Sequence, residues 1–182
     1  MLARYTYNDK IAEGIMRNNI FLIGFMGAGK STVAHALQEI CHMELVEMDE
    51  RIEACEHMTI QEIFAKKGED YFRTLETQLL LDMERKQGCI VSCGGGVPMR
   101  ACNIEAMRRS GRIVYLSARP QTVLERVRDS HTRPLLEGKM NVEYIEALMR
   151  ERRPKYLAAA DITVETDGKC AQEIGEEILQ KV

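Results

Sequence analysis

The sequence has no long apolar segment and no large excess of either charge. Its longest apolar stretch, residues 20–26, is far shorter than the ~20 residues that a membrane-spanning helix needs. The 25 Lys and Arg residues against 28 Asp and Glu leave a formal charge of -3, which provides no overall attraction to nucleic acid or to an anionic membrane. We therefore expect neither as a partner, and we expect any bound anion to be held by local groups.

The chain also lacks the cysteine patterns of disulfide-stabilised and zinc-binding proteins. A chain of 182 residues, 45% of them hydrophobic, can bury a core without covalent cross-links. No charged-then-apolar signal pattern occurs in the first 18 residues. We therefore predict reduced thiols in a cytoplasmic protein. The six cysteines form no CxxC pair and have no regular spacing: Cys41, Cys55, Cys89, Cys93, Cys102 and Cys170.

Short apolar segments alternate with longer segments of helical periodicity, and no internal repeat, low-complexity tract or linker interrupts them. The predicted strands are residues 19–23, 44–48, 89–93, 112–117 and 161–164. The predicted helices are residues 31–41, 59–67, 70–86, 120–128, 142–159 and 169–182. Right-handed helical crossovers between five strands predict a single three-layer α/β/α domain, with a parallel sheet covered on both faces. We expect this domain to span residues 19–182 and residues 1–18 to form an N-terminal extension.

A glycine-rich motif follows the first predicted strand directly. The segment GFMGAGKST, residues 24–32, fits the pattern GxxxxGK[ST] and has a strand before it and a helix after it. Glycines let backbone N–H groups turn toward a phosphate, and the helix N-terminus adds a positive dipole. The alternative is a glycine-rich turn with an accidental lysine. The motif predicts that Lys30 reaches the β- and γ-phosphates of a nucleoside triphosphate and that Ser31 ligates Mg²⁺, with further nucleotide contacts from Gly27, Ala28, Gly29 and Thr32.

Two large classes of nucleotide-binding protein do not fit this sequence. The DxxG and NKxD motifs of GTPases are absent from the chain. A motor ATPase usually belongs to a larger assembly, and this chain is short. The remaining classes are a small phosphotransferase and a nucleotide-gated binding module.

Five further motifs follow the glycine-rich loop in order. They are Met48-Asp49-x-x-Ile52-Glu53, Phe72-Arg73-x-x-Glu76, Gly94-Gly95-Gly96, Arg133-Pro134-Leu135-Leu136 and Arg152-x-Pro154-x-Tyr156. With these motifs the sequence resembles the shikimate kinases from about residue 19 to its C-terminus. The resemblance implies a P-loop kinase fold with a mobile lid, and transfer of the γ-phosphoryl group of ATP to the 3-hydroxyl of shikimate. It also implies Mg²⁺ as a cofactor and a cytoplasmic monomer in aromatic amino-acid biosynthesis.

The resemblance assigns two arginines to the carboxylate of shikimate. Arg73 and Arg152 match the family's carboxylate-binding pair, and a guanidinium suits this task because its planar fork makes two parallel hydrogen bonds. The residues themselves leave an alternative for each arginine. Arg73 has the spacing of a helix-surface ion pair with Glu69 or Glu76, and Arg152 could belong to a solvated basic helix face.

The resemblance also assigns shikimate contacts to Asp49 and Gly95. Asp49 follows the second strand, where the carboxyl ends of parallel strands line the ligand crevice. It is expected to orient or deprotonate the accepting hydroxyl, and the alternative is a helix N-cap. Three consecutive glycines allow a backbone N–H to approach a ligand, so Gly95 is expected to touch the substrate. The alternative for these glycines is a simple flexible turn.

Two more arginines are expected on the nucleotide side. Arg133 matches an arginine of the family's mobile lid that reaches the transferring phosphate, which makes Lys30, Asp49 and Arg133 the expected catalytic set. Arg126 matches an arginine that stacks on adenine, and the alternative is an exposed helical arginine.

Glu47 departs from the family pattern. The family usually has Asp-x-Asp where this chain reads Glu47-Met48-Asp49, and its first aspartate assists Mg²⁺. A glutamate carboxylate lies one methylene farther from the backbone, so it ligates the metal directly, acts through water or turns away. Two other functions stay open: a related kinase of the gluconate kinase type, which the arginine pair and glycine triplet disfavour, and a non-catalytic nucleotide-gated module.

Overall fold

A computed structural model describes residues 18–127 and 142–182. Five strands form one parallel sheet in the order β2-β3-β1-β4-β5. The strands are β1 Asn19–Ile23, β2 Glu44–Glu47, β3 Cys89–Ser92, β4 Gly111–Ser117 and β5 Ile162–Glu165. The predicted fold class, a three-layer α/β/α domain with a five-stranded parallel sheet, is confirmed.

Eight helices lie within the described ranges. They are α1 Lys30–Cys41, α2 Met48–Glu56, α3 Ile60–Lys67, α4 Glu69–Met83, α5 Ala101–Ser110, α6 Pro120–Val127, α7 Val142–Ala159 and α8 Ala171–Lys181, with a 3₁₀ turn at Val97–Met99. The chain runs from β1 to the edge strand β2 through α1, and then back across the sheet through α4, α5 and α7. Because crossovers are right-handed, this reversal places α1 on one face and those three helices on the other.

The reversal of direction also determines where a ligand can bind. The neighbouring strands β1 and β3 lead to α1 and α5, which lie on opposite faces, so the segments leaving the two strands diverge. A crevice therefore opens at their carboxyl ends. The glycine-rich loop leaves β1 at this point, and the glycine triplet leaves β3.

The centre of the sheet is buried on both faces. Every residue of β1 and β3 is buried, as expected for inner strands covered by helices on two sides. Asn19 at the start of β1 is fully buried, and its polar atoms are paired. Its Nδ2 donates to the carbonyls of Met83 (3.1 Å) and Lys86 (3.0 Å), and its Oδ1 accepts from the Cys89 N–H at 3.0 Å. This asparagine joins the end of α4 to the start of β3.

A second, smaller core supports the part of the chain that carries Arg73. Ile52, Ile63 and Phe72 form a buried cluster between α2, α3 and α4, separate from the main core. Helix α3 begins with a capping box, in which the Thr59 hydroxyl accepts from the Glu62 N–H and the Glu62 carboxylate accepts from the Thr59 N–H. These contacts fix the three helices as one unit beside the crevice.

Several boundaries differ from the prediction. Helix α5 was not among the predicted helices; it begins without a side-chain cap, and one of its three buried residues is the polar Asn103. Strand β2 ends at Glu47 and α2 begins at Met48, so the N-cap alternative for Asp49 is wrong: Asp49 lies in the first turn of the helix.

All six cysteines lie in the described part of the chain. All six cysteines are free, and Cys41, Cys89 and Cys93 are buried. Among the described helices, none is both long and apolar enough to cross a membrane.

Candidate active site

The glycine-rich loop between β1 and α1 has the backbone of an anion-binding loop. Gly27 and Gly29 have φ values of 75° and 93°, in the region that L side chains rarely adopt, and a Cβ at Gly27 would lie 2.8 Å from Val127 Cγ1. Gly29 is the N-cap of α1 and has no side chain to bond the first N–H groups of the helix. These N–H groups are therefore available to an anion.

Lys30 and Ser31 open α1 beside this loop. The Lys30 ammonium donates to the carbonyls of Gly24 (3.0 Å) and Phe25 (3.1 Å), which holds it above the loop. The Ser31 hydroxyl donates to Glu47 Oε2 at 3.2 Å. The glycine-rich loop thus meets the end of β2 through a serine hydroxyl and a carboxylate.

Of the three orientations open to Glu47, the structure excludes the one that turns away from the loop. Its Oε1 is buried and has no hydrogen-bond partner within the described part of the chain. An unpaired carboxylate oxygen beside a serine hydroxyl is the chemistry that a hard cation such as Mg²⁺ prefers. No cluster of three His, Cys, Asp or Glu side chains arranged for a metal occurs among residues 18–127 and 142–182. A cation here would take its remaining oxygens from phosphates and water.

One cavity of about 500 Å³ joins the loop to the ends of β2, β3 and β5. Lys30 and Arg126 line it with positive charge, and Glu47 and Asp49 line it with carboxylates. It brings together most of the expected site residues: Gly27, Ala28, Gly29, Lys30, Ser31, Thr32, Asp49, Gly95 and Arg126. Arg73 and Arg152 are not part of its lining.

Arg126 closes one end of this cavity. Its guanidinium donates to the Gly27 carbonyl at 3.3 Å, to the Thr166 hydroxyl at 3.2 Å and to the Thr166 carbonyl at 3.4 Å. Arg126 is an exposed helical arginine, as the alternative supposed, and α6 also directs its side chain across the loop. Thr166, Lys169 and Ile174 continue the lining from the carboxyl end of β5 into α8.

Arg73 combines an ion pair with burial. Its guanidinium bonds Glu69 Oε1 at 2.8 Å and Glu76 Oε2 at 2.9 Å, so both helical pairs that the spacing suggested are formed. Its side chain is nevertheless only 15% exposed, and that of Glu76 is 0% exposed. Burial raises the pKa of Glu76 to about 7; Arg73 opposes this shift and the negative Asp49 adds to it.

The glycine triplet covers these charged groups. A Cβ at Gly94 would lie 2.6 Å from Glu76 Oε1 and 3.2 Å from Asp49 Oδ1. A Cβ at Gly96 would overlap the Arg73 guanidinium, with 2.6 Å to its Cζ. Gly95 has no such neighbour, since its nearest atoms lie 3.6 to 3.9 Å away. The outer glycines therefore permit close packing, and the middle one lines the cavity with room around its Cα.

The 3₁₀ turn after the triplet is fastened to α4 by a buried asparagine. Asn103 of α5 is fully buried, and its Nδ2 donates to the Val97 carbonyl at 2.9 Å. Its Oδ1 lies 2.8 Å from the Thr77 hydroxyl, which is also 3.0 Å from the Arg73 carbonyl. The triplet and the helix that carries Arg73 are thus connected through Asn103.

Arg152 approaches the site from α7. Its Cζ lies 6.0 Å from the centroid of the Phe25 ring, which excludes a fully solvated basic face as its environment. It also interacts with the hydroxyl of Tyr156, one helical turn later. Burial raises the pKa of Tyr156 to about 12, and both Arg152 and Arg73 act in the opposite direction. Both arginines therefore exert their charge on one phenol.

Comparison with known proteins identifies the family. A family model described as shikimate kinase matches residues 26–182. The chain belongs to the shikimate kinase family. The shikimate kinase of Dehalococcoides mccartyi is 42% identical over 167 residues, covering 92% of this chain and 94% of that protein. The shikimate kinase of Sulfurihydrogenibium is 42% identical over 164 residues, covering 90% and 97%.

Solved structures of the family agree with this fold. Shikimate kinase from Acinetobacter baumannii, solved in complex with shikimate, has a TM-score of 0.85 and 35% identity, covering 90% of this chain and 92% of its own. The enzyme from Aquifex aeolicus has a TM-score of 0.77 and 38% identity, covering 90% and 95%. A gluconokinase from Sinorhizobium meliloti, at 18% identity and a TM-score of 0.54, shares the fold alone.

Within this shikimate kinase family member, the sequence missed two features of the site. Glu76 was considered only as a surface partner of Arg73, and its complete burial under Gly94 has no local signal in the sequence. Tyr156 served only to mark a motif, although its hydroxyl bonds the Gly95 carbonyl. The expected lid, with Arg133, lies outside the described residues.

Proposed function

We propose that this shikimate kinase family member transfers the γ-phosphoryl group of ATP to the 3-hydroxyl of shikimate, yielding shikimate 3-phosphate and ADP. The observation that carries the proposal is the cavity that joins Lys30 and Ser31 to Asp49 and Gly95. A phosphate-binding loop and an acceptor-binding wall share one space, as direct transfer between two bound substrates requires. No covalent enzyme intermediate is needed.

The proposed nucleotide half consists of the loop and its neighbours. Backbone N–H groups of residues 27–32 and the Lys30 ammonium bind the phosphates, and Arg126 packs against the adenine. Ser31 and Glu47 would hold Mg²⁺, which when bound neutralises phosphate charge. Phosphoryl transfer is catalysed mainly by positioning and charge stabilisation, and these groups supply both.

The proposed acceptor half binds shikimate at both ends. Arg73 and Arg152 bind its carboxylate, each through a charge-assisted contact that contributes roughly 1.5–3 kcal/mol. Asp49 accepts the hydrogen bond of the 3-hydroxyl and orients it toward the γ-phosphate, taking its proton as transfer proceeds. The Gly95 backbone contacts the substrate where a side chain would intrude.

The other expectations remain proposals. Arg133, outside the described residues, is proposed to close over the site and neutralise the transferring phosphoryl group. A monomeric state, a cytoplasmic location and an N-terminal extension at residues 1–18 are likewise predictions. A nucleotide-gated module without catalysis is disfavoured by Ser31 and Glu47, whose contact keeps the candidate Mg²⁺ site assembled.

The direct test measures ADP release from the purified protein with MgATP and shikimate, gluconate or no acceptor, and identifies the product by mass. We expect ADP only with shikimate, together with one added phosphate on the acceptor. Nucleotide binding without acceptor-dependent ADP would refute the proposal, and turnover with gluconate would favour the related kinase.

The role of Lys30 is tested in the same assay. Lys30→Ala is expected to abolish nearly all turnover, because the phosphates lose their charged partner, while the folded state is retained. Lys181→Ala, which removes an exposed lysine paired with Glu177 at the end of α8, serves as the matched control. Near-normal turnover of Lys30→Ala would contradict the assignment.

A second pair of variants separates anchoring from catalysis. Arg73→Leu is expected mainly to raise the KM for shikimate, because the arginine binds the ground state, and Arg133→Ala mainly to lower kcat. Steady-state kinetics with both substrates varied distinguishes the two effects. The reverse pattern would show that the two arginines have been assigned each other's roles.

A further inference from the structure

The three carbonyls of the glycine triplet, residues 94–96, are all hydrogen-bonded, but in different ways. The first and third accept from backbone N–H groups of the adjoining turn Val97–Met99, at 3.1 and 3.0 Å. The middle carbonyl, that of Gly95, accepts instead from the Tyr156 hydroxyl at 2.7 Å. Tyr156 lies 61 residues later in the chain, so a distant helix orients the middle glycine of the triplet, which lines the cavity.

Tyr156 is itself held in place. Its side chain is 1% exposed, and its ring stacks on that of Tyr115 with 5.2 Å between centroids and 14° between planes. A phenol is protonated at neutral pH, and burial raises the pKa of Tyr156 further, to about 12, so the hydroxyl is a donor. The ring position and the protonation state together fix the direction of the bond to Gly95.

The same hydroxyl interacts with Arg152. The two residues are four apart on α7, so they share one face of the helix, and the positive guanidinium opposes the rise in the pKa of the phenol that burial causes. A phenol oxygen can donate one hydrogen bond and accept another. Tyr156 therefore stands between a backbone group and a guanidinium that both belong to the proposed acceptor half.

We propose that Tyr156 is a positioning residue for the acceptor substrate: its hydroxyl, which donates to the Gly95 carbonyl and lies on the same face of α7 as Arg152, holds these two groups in one fixed relation. The inference rests on the proposed function. Without the hydroxyl, the middle peptide of three consecutive glycines regains the conformational freedom that glycine allows, and Arg152 loses the neighbouring phenol oxygen. Tyr156 does not itself touch the reacting atoms.

The test uses the full chain with Tyr156→Phe, which removes one oxygen and keeps the buried ring. We expect the Kd of shikimate, measured by calorimetry, and its KM to rise about tenfold, the factor equal to roughly 1.4 kcal/mol for the lost bond. The KM for ATP should change less than about twofold, since the phosphate loop is untouched. Tyr115→Phe is the matched control, because it removes a phenol oxygen from the same stacked pair without removing the bond to Gly95.

A double-mutant cycle with Arg152→Leu measures whether the effects of the two substitutions on shikimate binding are coupled. A tyrosine that only stabilised the fold would show no such coupling. If Tyr156 acts partly through Arg152, the effects of the two substitutions on shikimate Kd are less than additive. An unchanged Kd in Tyr156→Phe, equal changes in both KM values, or full additivity would overturn the inference. If the unaltered protein binds no shikimate, the proposed function fails as well, so the two failures are distinguishable.

Discussion

Glu76 is expected to make the stability of the protein depend on pH in a way that a single substitution removes. Its carboxylate is completely buried, and Oε1 has no hydrogen-bond partner among the residues described. Burial, reinforced by the negative Asp49, raises its pKa from 4.5 to about 7 despite the opposing charge of Arg73. Such a shift corresponds to a free-energy difference of about 3 kcal/mol between the two protonation states.

The sign follows from comparing folded and unfolded chains. Between pH 4.5 and about 7 the unfolded chain has released the proton of Glu76 while the folded chain retains it. The free energy of unfolding therefore falls as the pH rises through this window, by about 3 kcal/mol in total, and the contribution is complete only below the unfolded pKa. Above the folded pKa both states are ionised and the effect is constant.

Glu76→Gln should remove this slope, because glutamine resembles the protonated acid at every pH. The free energy of unfolding of the ligand-free protein is measured by urea titration at a series of pH values from about 4.5 to 8. We expect the value for the variant minus the value for the unaltered protein to increase by about 3 kcal/mol from the lowest pH to the highest. Glu69→Gln is the control, because it removes the charge of the other ion-pair partner of Arg73, and the Glu69 side chain is 60% exposed. Parallel stability curves for Glu76→Gln and the unaltered protein would refute the reasoning.

The same substitution should weaken the acceptor site. Arg73 keeps its exposed partner Glu69 but loses its buried one, so its guanidinium is less firmly held. We expect the shikimate KM of Glu76→Gln to rise about tenfold, consistent with the loss of a charged hydrogen bond. A variant that is more stable at pH 8 and binds its substrate less well would show that this buried charge is retained for function.

Three further predictions concern the walls of the cavity. Gly94→Ala places a methyl group 2.6 Å from a carboxylate oxygen of Glu76 and should lower the free energy of unfolding, measured by urea titration, by about 1–3 kcal/mol. Gly95→Ala should leave the free energy of unfolding unchanged and raise the shikimate KM. Asn103→Ala removes the hydrogen bond to the Val97 carbonyl and the contact with the Thr77 hydroxyl, and Asn19→Ala removes three hydrogen bonds between the end of α4, β1 and β3. Both substitutions should therefore lower the free energy of unfolding by about 2 kcal/mol, but only Asn103→Ala should raise the shikimate KM, since Asn19 lies at the opposite end of the sheet. Glu47→Gln should raise the Mg²⁺ concentration for half-maximal turnover about tenfold while the shikimate KM stays constant; an unchanged Mg²⁺ requirement would contradict its proposed role.

Much of the fold could be predicted because its signals are local. The apolar segments that become β1 and β3, and the helical periodicity between strands, depend on residues close together in the chain. The glycine-rich loop could be predicted for the same reason, since strand, loop and helix follow one another within residues 19–41. Helix α5 was missed because its buried face includes the polar Asn103, whose partners come from other elements.

The sequence by itself determined the strand pattern, the phosphate loop and the family motifs, because short-range spacing expresses each of them. Only the tertiary structure decided that Glu76 is buried beneath Gly94, that Glu47 contacts Ser31 and that Tyr156 bonds Gly95. Each of these contacts joins elements that are distant in the chain. They meet because right-handed crossovers and the strand order β2-β3-β1-β4-β5 bring several loops to one edge of the sheet.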